Sequence, residues 1–300
     1  MAVDTELFDA QFLDRLRSMF FKLRKRRQMQ KKGVQPTPTS GFTREFKDHR
    51  HYTAGDDFRT IDWRLYARLD RKFIRIFEEV QEFHVHVLLD RSMSMLEPHA
   101  EKRMMALRAA VALAYLALLS EHRVSVWSLG DGLRRETRPL KGQGHVHLLL
   151  EQMSELRFGG LTDLAGCFQQ FRPSRDRRGL VFIVSDLFGR RPEASAEALA
   201  QANRWPAESH VIHVLHPREA RPDLQGEIRL IDVETNEARR IWLTKRELAR
   251  YVAAFQAYQE NLQRSCMQRG VDYFSWMTDE PFEDNFLNLL SRGNALAGTG

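Results

Sequence analysis

Cysteine is scarce in this 300-residue sequence: Cys167 and Cys266 stand alone and far apart, too few for a disulfide framework or a thiolate metal centre. Long apolar runs are scarce too. The longest, Ala109 to Leu119, falls well short of the ~20 residues that cross a bilayer. The opening MAVDTELFDA lacks the charged-then-apolar layout of a secretory signal, so a cytoplasmic location is expected. A GxxxxGKS/T phosphate loop is absent, and GQGHVH at 142–147 lacks the third glycine of a dinucleotide loop, so this chain is expected to bind no nucleotide. The absence of GxSxG removes an α/β-hydrolase nucleophile at Ser92 or Ser185. His84 with His86, and His145 with His147, alternate like paired zinc ligands, but neither pair has a third ligand nearby in sequence.

The composition is that of an ordinary globular protein, 43% hydrophobic and 29% charged, at a length that holds one elaborate domain or two. Lysine and arginine total 46 against 40 acids, a formal charge of +6, and nine of the residues from Arg15 to Lys32 are basic. Phe8, Phe12, Leu16, Met19 and Leu23 recur there at helical spacing. Residues 1–32 therefore read as a basic amphipathic helix. Its apolar face is expected to dock on the parent domain or a partner, with contact to nucleic acid or an anionic membrane surface as the alternative. GVQPTPTSG at 33–41 reads as a linker. Residues 33–80 form a charged and aromatic segment with a turn at Gly55, Asp56 and Asp57 and a partly extended second half.

From 81 to 292 the pattern alternates. Short apolar runs at 85–89, 124–129, 180–185, 211–215 and 273–276, most of them rich in β-branched residues, predict strands, and 102–119, 161–171, 193–205 and 245–269 predict helices. That order predicts an α/β fold, a mainly parallel sheet with helices on both faces. Two further runs, 227–233 and 239–243, joined by ETNEA, predict a β-hairpin inserted at about 219–243.

The strand at 85–89 runs into an acid: HVHVLLDRSMSM, residues 84–95, ends its apolar stretch at Asp90 and places Ser92 and Ser94 on alternate positions behind it. In parallel α/β sheets ligands bind at the carboxyl ends of strands, and alternate residues of an extended loop share one side. A second strand, LVFIVSD, ends the same way at Asp186, and FGGLTDLAG between them carries Thr162 at an expected helix start. Two carboxylates ~4 Å apart repel by about 4 kcal/mol at an effective dielectric near 20, a cost that a cation removes. Oxygen-only donors suit Mg²⁺, with Mn²⁺ or Ca²⁺ as alternatives. A structural reading competes: Ser92 and Ser94 cap a helix beginning near Met95, and Asp186 caps the next one.

The DxSxS run, the threonine in a GGxT-like loop and the later aspartate resemble the metal-ion-dependent adhesion site of von Willebrand factor A domains. The resemblance implies a von Willebrand factor A-like, Rossmann-like fold and a Mg²⁺ held by Asp90, Ser92, Ser94, Thr162 and Asp186, with one coordination position left for a partner's carboxylate. A narrower resemblance starts earlier. Glu45, Phe46, Arg50, Tyr52, Gly55, Asp56, Asp57, Arg59, Ile61, Asp62, Trp63, Ala67 and Arg68 match the pattern that leads into the first strand in the bacterial family called domain of unknown function 58. The likeness runs from about 35 to 292, with GGLTDL standing where GGTDL is commoner. It implies a non-enzymatic interaction protein acting with a MoxR-type AAA+ ATPase, or another protein presenting an aspartate or glutamate, in chaperone-like assembly or activation. The enzymatic alternative is a Mg²⁺-dependent phosphohydrolase with Asp90 as nucleophile. That chemistry needs a second acid two residues on, where Ser92 stands. Asp56, Arg59, Asp62, Trp63 and Arg68 are expected to form a salt-bridged platform, with a direct contact surface as the alternative.

Overall fold

The computed structural model describes residues 10–30, 43–53, 55–80, 83–174, 179–189, 194–231 and 238–292. The linker expected at 33–41 and most of the ETNEA turn lie outside these residues. The chain divides into two compact units, Met1–Arg26 with Glu82–Ala297, and Arg27–Gln81. Helix α1 spans Ala10–Gln30. On one side of it Phe12, Leu16 and Phe20 are buried in the core of the larger unit, and Arg15 on its polar side reaches Glu283 at 3.6 Å. The apolar face of α1 is thus used by the protein's own core, as burial of a helical stripe requires.

In the smaller unit, β1 (Thr43–His51) is joined through α2 (Trp63–Leu69) to β2 (Phe73–Val80), and the two strands pair antiparallel with a register shift between Phe46 and Asp48. The acids of GDDFRTIDW serve as caps and partners within the segment. Asp62 accepts the N–H groups of Arg64 and Leu65 at 3.1 Å each, closing the start of α2, and also holds His49 at 3.0 Å. Asp56 accepts the Thr53 N–H at 2.9 Å and the Arg50 guanidinium at 2.8 Å, and these bonds hold its carboxyl down at about 2. Arg59 takes no such role and lies over the ring of Phe58. Phe58 and Trp63 project into solvent, 64% and 58% exposed.

The larger unit continues with β3 (His84–Asp90), α3 (Ala100–Leu119), β4 (Arg123–Leu129), the two-residue strands β5 (Arg134–Arg135) and β6 (Leu140–Lys141), α4 (Val146–Ser154), α5 (Leu164–Gln170), β7 (Gly179–Ser185), α6 (Ala194–Ala202), β8 (Ala207–Leu215), α7 (Pro217–Ala220), β9 (Gly226–Ile231), β10 (Ala238–Leu243), α8 (Lys245–Met267), β11 (Asp272–Met277) and α9 (Phe282–Arg292). The central sheet has the order β11-β8-β7-β3-β4-β5, with β6 also paired to β4. From β11 to β4 every pairing is parallel, and only β5 and β6 run against β4. This is a mixed α/β fold with a mostly parallel sheet. β9 and β10 pair with each other as an antiparallel hairpin apart from it.

Strands buried on both sides read as continuous apolar runs, and the side chains of β7 show how they are shared. Leu180, Phe182 and Val184 join the core made with α1, α3, α4 and α9, while Val181 and Ile183 join a second core made with α5, α6 and α8. The helix α3 is apolar almost all round and almost wholly buried. The chain leaves β3 toward β4 on one side and returns to β7 on the other. β3 and β7 therefore flank a topological switch point, where the departing loops part and open a crevice at the carboxyl ends.

His86 and His213 are two of the buried histidines of this sheet. His86 accepts the Trp127 indole N–H on Nδ1 at 3.3 Å, and burial pushes it down to about 3. His213 contacts the Asp186 carbonyl oxygen through Nε2 at 2.7 Å and the Tyr273 hydroxyl through Nδ1, and burial pushes it down to about 4. Unfolding releases both to the ordinary value near 6.5. Between about 6.5 and 4 the unfolded chain therefore binds more protons, and stability falls as pH falls. The expected loss from His213 alone is on the order of 3 kcal/mol by pH 4. Urea unfolding at stepped pH measures it; a stability unchanged from pH 7 to pH 4.5 contradicts the neutral, buried assignment.

Candidate metal centre

Asp90 ends β3 at the switch point and is 1% exposed. Its Oδ1 accepts the backbone N–H of Ser92 and the hydroxyl of Thr162, both at 2.9 Å, and its Oδ2 accepts the hydroxyl of Ser185 at 2.6 Å. The Ser92 and Ser94 hydroxyls lie 3.0 Å apart. One carboxylate and four hydroxyls from three loops thus form one connected cluster. The loop after Asp90 makes a 3₁₀ turn over Met93–Met95, and Ser92, at its N-cap position, makes no side-chain cap bond. The helix-capping reading of Ser92 is therefore not realised; its hydroxyl faces Ser94 instead.

Thr162 is brought in by backbone pairing. Gly159 donates its N–H to the Arg91 carbonyl at 2.7 Å, and the Met93 N–H is accepted by the Gly160 carbonyl at 2.9 Å. Both glycines have positive φ, 142° and 82°, which glycine adopts without steric cost, so the two loops zip together. Thr162 does not begin a helix as expected. Asp163 accepts the Gly166 N–H at 3.0 Å as N-cap, and α5 starts at Leu164.

Asp186 follows β7 and is fully buried. Its Oδ1 accepts the Phe188 N–H at 3.2 Å and its Oδ2 accepts the ammonium of Lys102 at 2.9 Å. Lys102, in the first turn of α3, is 0% exposed and also bonds Glu219 of α7. Burial opposes a charge on this amine, but Asp186 and Glu219 together outweigh it and raise its pKa, so it is an ammonium. Leu187 between these partners is held in the left-handed region at φ 54°, its N–H bonded to the Ser185 hydroxyl at 2.8 Å and its carbonyl taken by Tyr258 and Ser195. Strained non-glycine backbone of this kind persists only where its surroundings over-determine it, commonly at functional sites.

Of the five residues expected as ligands, the structure gathers Asp90, Ser92, Ser94 and Thr162 into one hydrogen-bonded cluster. Asp186 stands beside them, close enough that its charge, after burial, is the main cause raising the Asp90 pKa, while its own oxygens are engaged elsewhere. Sequence reasoning missed Lys102, Glu219 and Ser185. Lys102 stands among Glu101, Arg103 and Arg108 in the first half of α3, and nothing local marks it as the charge that is buried.

The donor set fits a hard divalent cation. It is all oxygen, as Mg²⁺ requires. Burial and the neighbouring Asp186 charge both raise the Asp90 pKa, a cost that a cation relieves, while the ammonium of Lys102 is shared by Asp186 and Glu219. Removing that ammonium orphans both of these carboxylates. Lys102→Met is expected to cost about 3–5 kcal/mol, the penalty for orphaning buried charge; a urea midpoint that implies a loss under about 1 kcal/mol shows that the ion triad is not formed in solution.

The sequence model of a family described as Protein of unknown function DUF58 matches residues 48–261. Two curated relatives, uncharacterized protein Rv1480 of Mycobacterium tuberculosis and uncharacterized protein Mb1516 of Mycobacterium bovis, are each 27% identical over 278 residues, covering 89% of this chain and 84% of their own. Among solved structures, the conserved hypothetical protein BatB from Bacteroides thetaiotaomicron is similar with a TM-score of 0.38 at 14% identity, covering 70% of this chain and 98% of its own. A von Willebrand factor type A protein from Catenulispora acidiphila gives 0.31 at 17%, covering 46% and 34%. With the family match spanning well over half of its length, this chain belongs to the DUF58 family.

Proposed function

We propose that this protein is a non-enzymatic, metal-dependent interaction module with a von Willebrand factor A-like fold. Its Mg²⁺ is held by Asp90, Ser92, Ser94 and Thr162, with Asp186 neighbouring the ion and not binding it directly. The observation that carries the reading is the Asp90 cluster: a buried carboxylate ringed by hydroxyls from the loop after β3, the Thr162 loop and the end of β7, with the Asp186 charge beside it. With one carboxylate bound, the ion retains positive charge and supplies an open position for the carboxylate of a partner. The chain's own residues orient that encounter. Arg91, between Asp90 and Ser92, lines a groove of about 370 Å³ together with Arg134 and Arg157, alongside Glu136 and Glu155, a surface on which an acidic segment gains charge-assisted hydrogen bonds.

The partner proposed is a MoxR-type AAA+ ATPase, on the strength of the family resemblance, in chaperone-like assembly or activation in the cytoplasm. Nucleotide chemistry then belongs to the partner. Against the phosphohydrolase alternative stands Ser92, two residues after Asp90, where that chemistry needs a second acid.

Two measurements separate the parts of this reading. Mg²⁺ added to EDTA-treated protein is expected to raise the melting temperature, by the equivalent of about 2.7 kcal/mol at a hundredfold excess over Kd, and Asp90→Asn and Thr162→Ala are expected to abolish the rise. A wild type indifferent to Mg²⁺ removes the metal. Retention of a purified MoxR-type ATPase is expected in Mg²⁺ and lost in EDTA or with Asp90→Asn. A thermal shift without retention keeps the ion and removes this partner.

A further inference from the structure

A second group of ligating side chains lies outside the oxygen cluster. His99 is the N-cap residue of α3, and it makes no side-chain cap bond there; Glu101 is in the first turn of the same helix. His216 is the N-cap residue of α7, more than a hundred positions later in sequence. The fold lays the two imidazoles face to face, with ring centroids 3.6 Å apart and planes inclined by 8°. One donor atom from each of His99, Glu101 and His216 lies within 4.8 Å of the other two.

We propose that His99, Glu101 and His216 form a second divalent-cation site, selective for the zinc class of ions over Mg²⁺. Two imidazoles and one carboxylate are the ligands of borderline ions, whereas Mg²⁺ takes oxygen. Zinc bonds of about 2.0–2.2 Å place tetrahedral donors roughly 3.3 Å apart and lie in the plane of each imidazole, so binding turns the two rings out of their parallel stack. The Arg218 N–H donates to Nδ1 of His216 at 3.2 Å, which puts the proton of the neutral ring on Nε2. Ligation by either nitrogen of His216 therefore gives up this cap bond, and the ion takes its place. A fourth position remains for water or an external donor.

The site also has a structural consequence. His216 shares a capping box with Glu219, and Glu219 holds Lys102, so an ion joining His99 to His216 fastens the start of α3 to α7 on both sides of the buried ion triad.

The test uses the full chain without an affinity tag, stripped with EDTA and kept in excess Mg²⁺, titrated with Zn²⁺ against a chromogenic chelator. One equivalent is expected to bind. His99→Gln and His216→Gln are each expected to weaken it by at least about tenfold, and Asp90→Ala to leave it unchanged. Co²⁺ in place of Zn²⁺ is expected to give the intense visible bands of a tetrahedral site, lost in the histidine variants. Should a histidine variant misfold by circular dichroism, Glu101→Gln, on an exposed position, replaces it in the comparison. Zinc affinity equal in wild type and variants, or abolished by Asp90→Ala, overturns the proposal, the second by assigning the ion to the oxygen cluster. That outcome is separate from the Mg²⁺-dependent melting of the first site, so each reading can fall without the other.

Discussion

Carboxylates at the carboxyl edge of this sheet are buried, and buried charge has to be compensated. Everything near the switch point follows from that constraint. Asp90 is compensated by hydrogen bonds from a backbone N–H and two hydroxyls, which is why the loops bearing Ser92, Thr162 and Ser185 converge on it. Asp186 is compensated by an ammonium delivered from α3. The two solutions differ in kind. Hydrogen bonds stabilise a carboxylate without supplying charge, whereas the Asp186 side contains a cation of its own. Burial and the Asp186 charge raise the Asp90 pKa together, and a divalent ion relieves both at once.

Much of the architecture was legible in the sequence. The apolar runs in β3, β7 and β8 are continuous because those strands are covered on both faces, and continuous runs separated by helical periodicity leave little alternative to a parallel sheet. The acid at the end of β3 stood out because a strand buried throughout seldom ends in a charge without a purpose. Local patterns carried Asp90, Ser92 and Ser94, which are neighbours in sequence, and the two glycines before Thr162 marked a close backbone approach that the Arg91 and Met93 hydrogen bonds realise.

The rest was hidden for physical reasons. The strands β5 and β6 are two residues each, too short for any alternation to register. The helix α2 begins within the aromatic segment and is set by the Asp62 cap, not by an apolar stripe; none of its residues is buried. Asp186 ends its strand as Asp90 does, and the sequence alone does not tell the two apart. What distinguishes it from Asp90 is Lys102, 84 positions away, and no local pattern reports that distance. The stacked pair His99 and His216 was invisible for the same reason, while His84 and His86, two positions apart, drew notice and proved to be a stacked pair at 4.0 Å that joins no ligand cluster among the described residues. In the smaller unit the acids were expected to pair with nearby arginines; Asp56 does so with Arg50, but Asp62 serves backbone N–H groups and His49, because an aspartate just before a helix meets unsatisfied amides first.

Lys102 meets Asp186 across 84 residues and Glu219 across 117. The first turn of α3 cannot enter the interior without stranding a bare charge unless both partners are in place. The ion triad therefore ties the seating of α3 to the segments that follow β7 and β8, which carry Asp186 and Glu219.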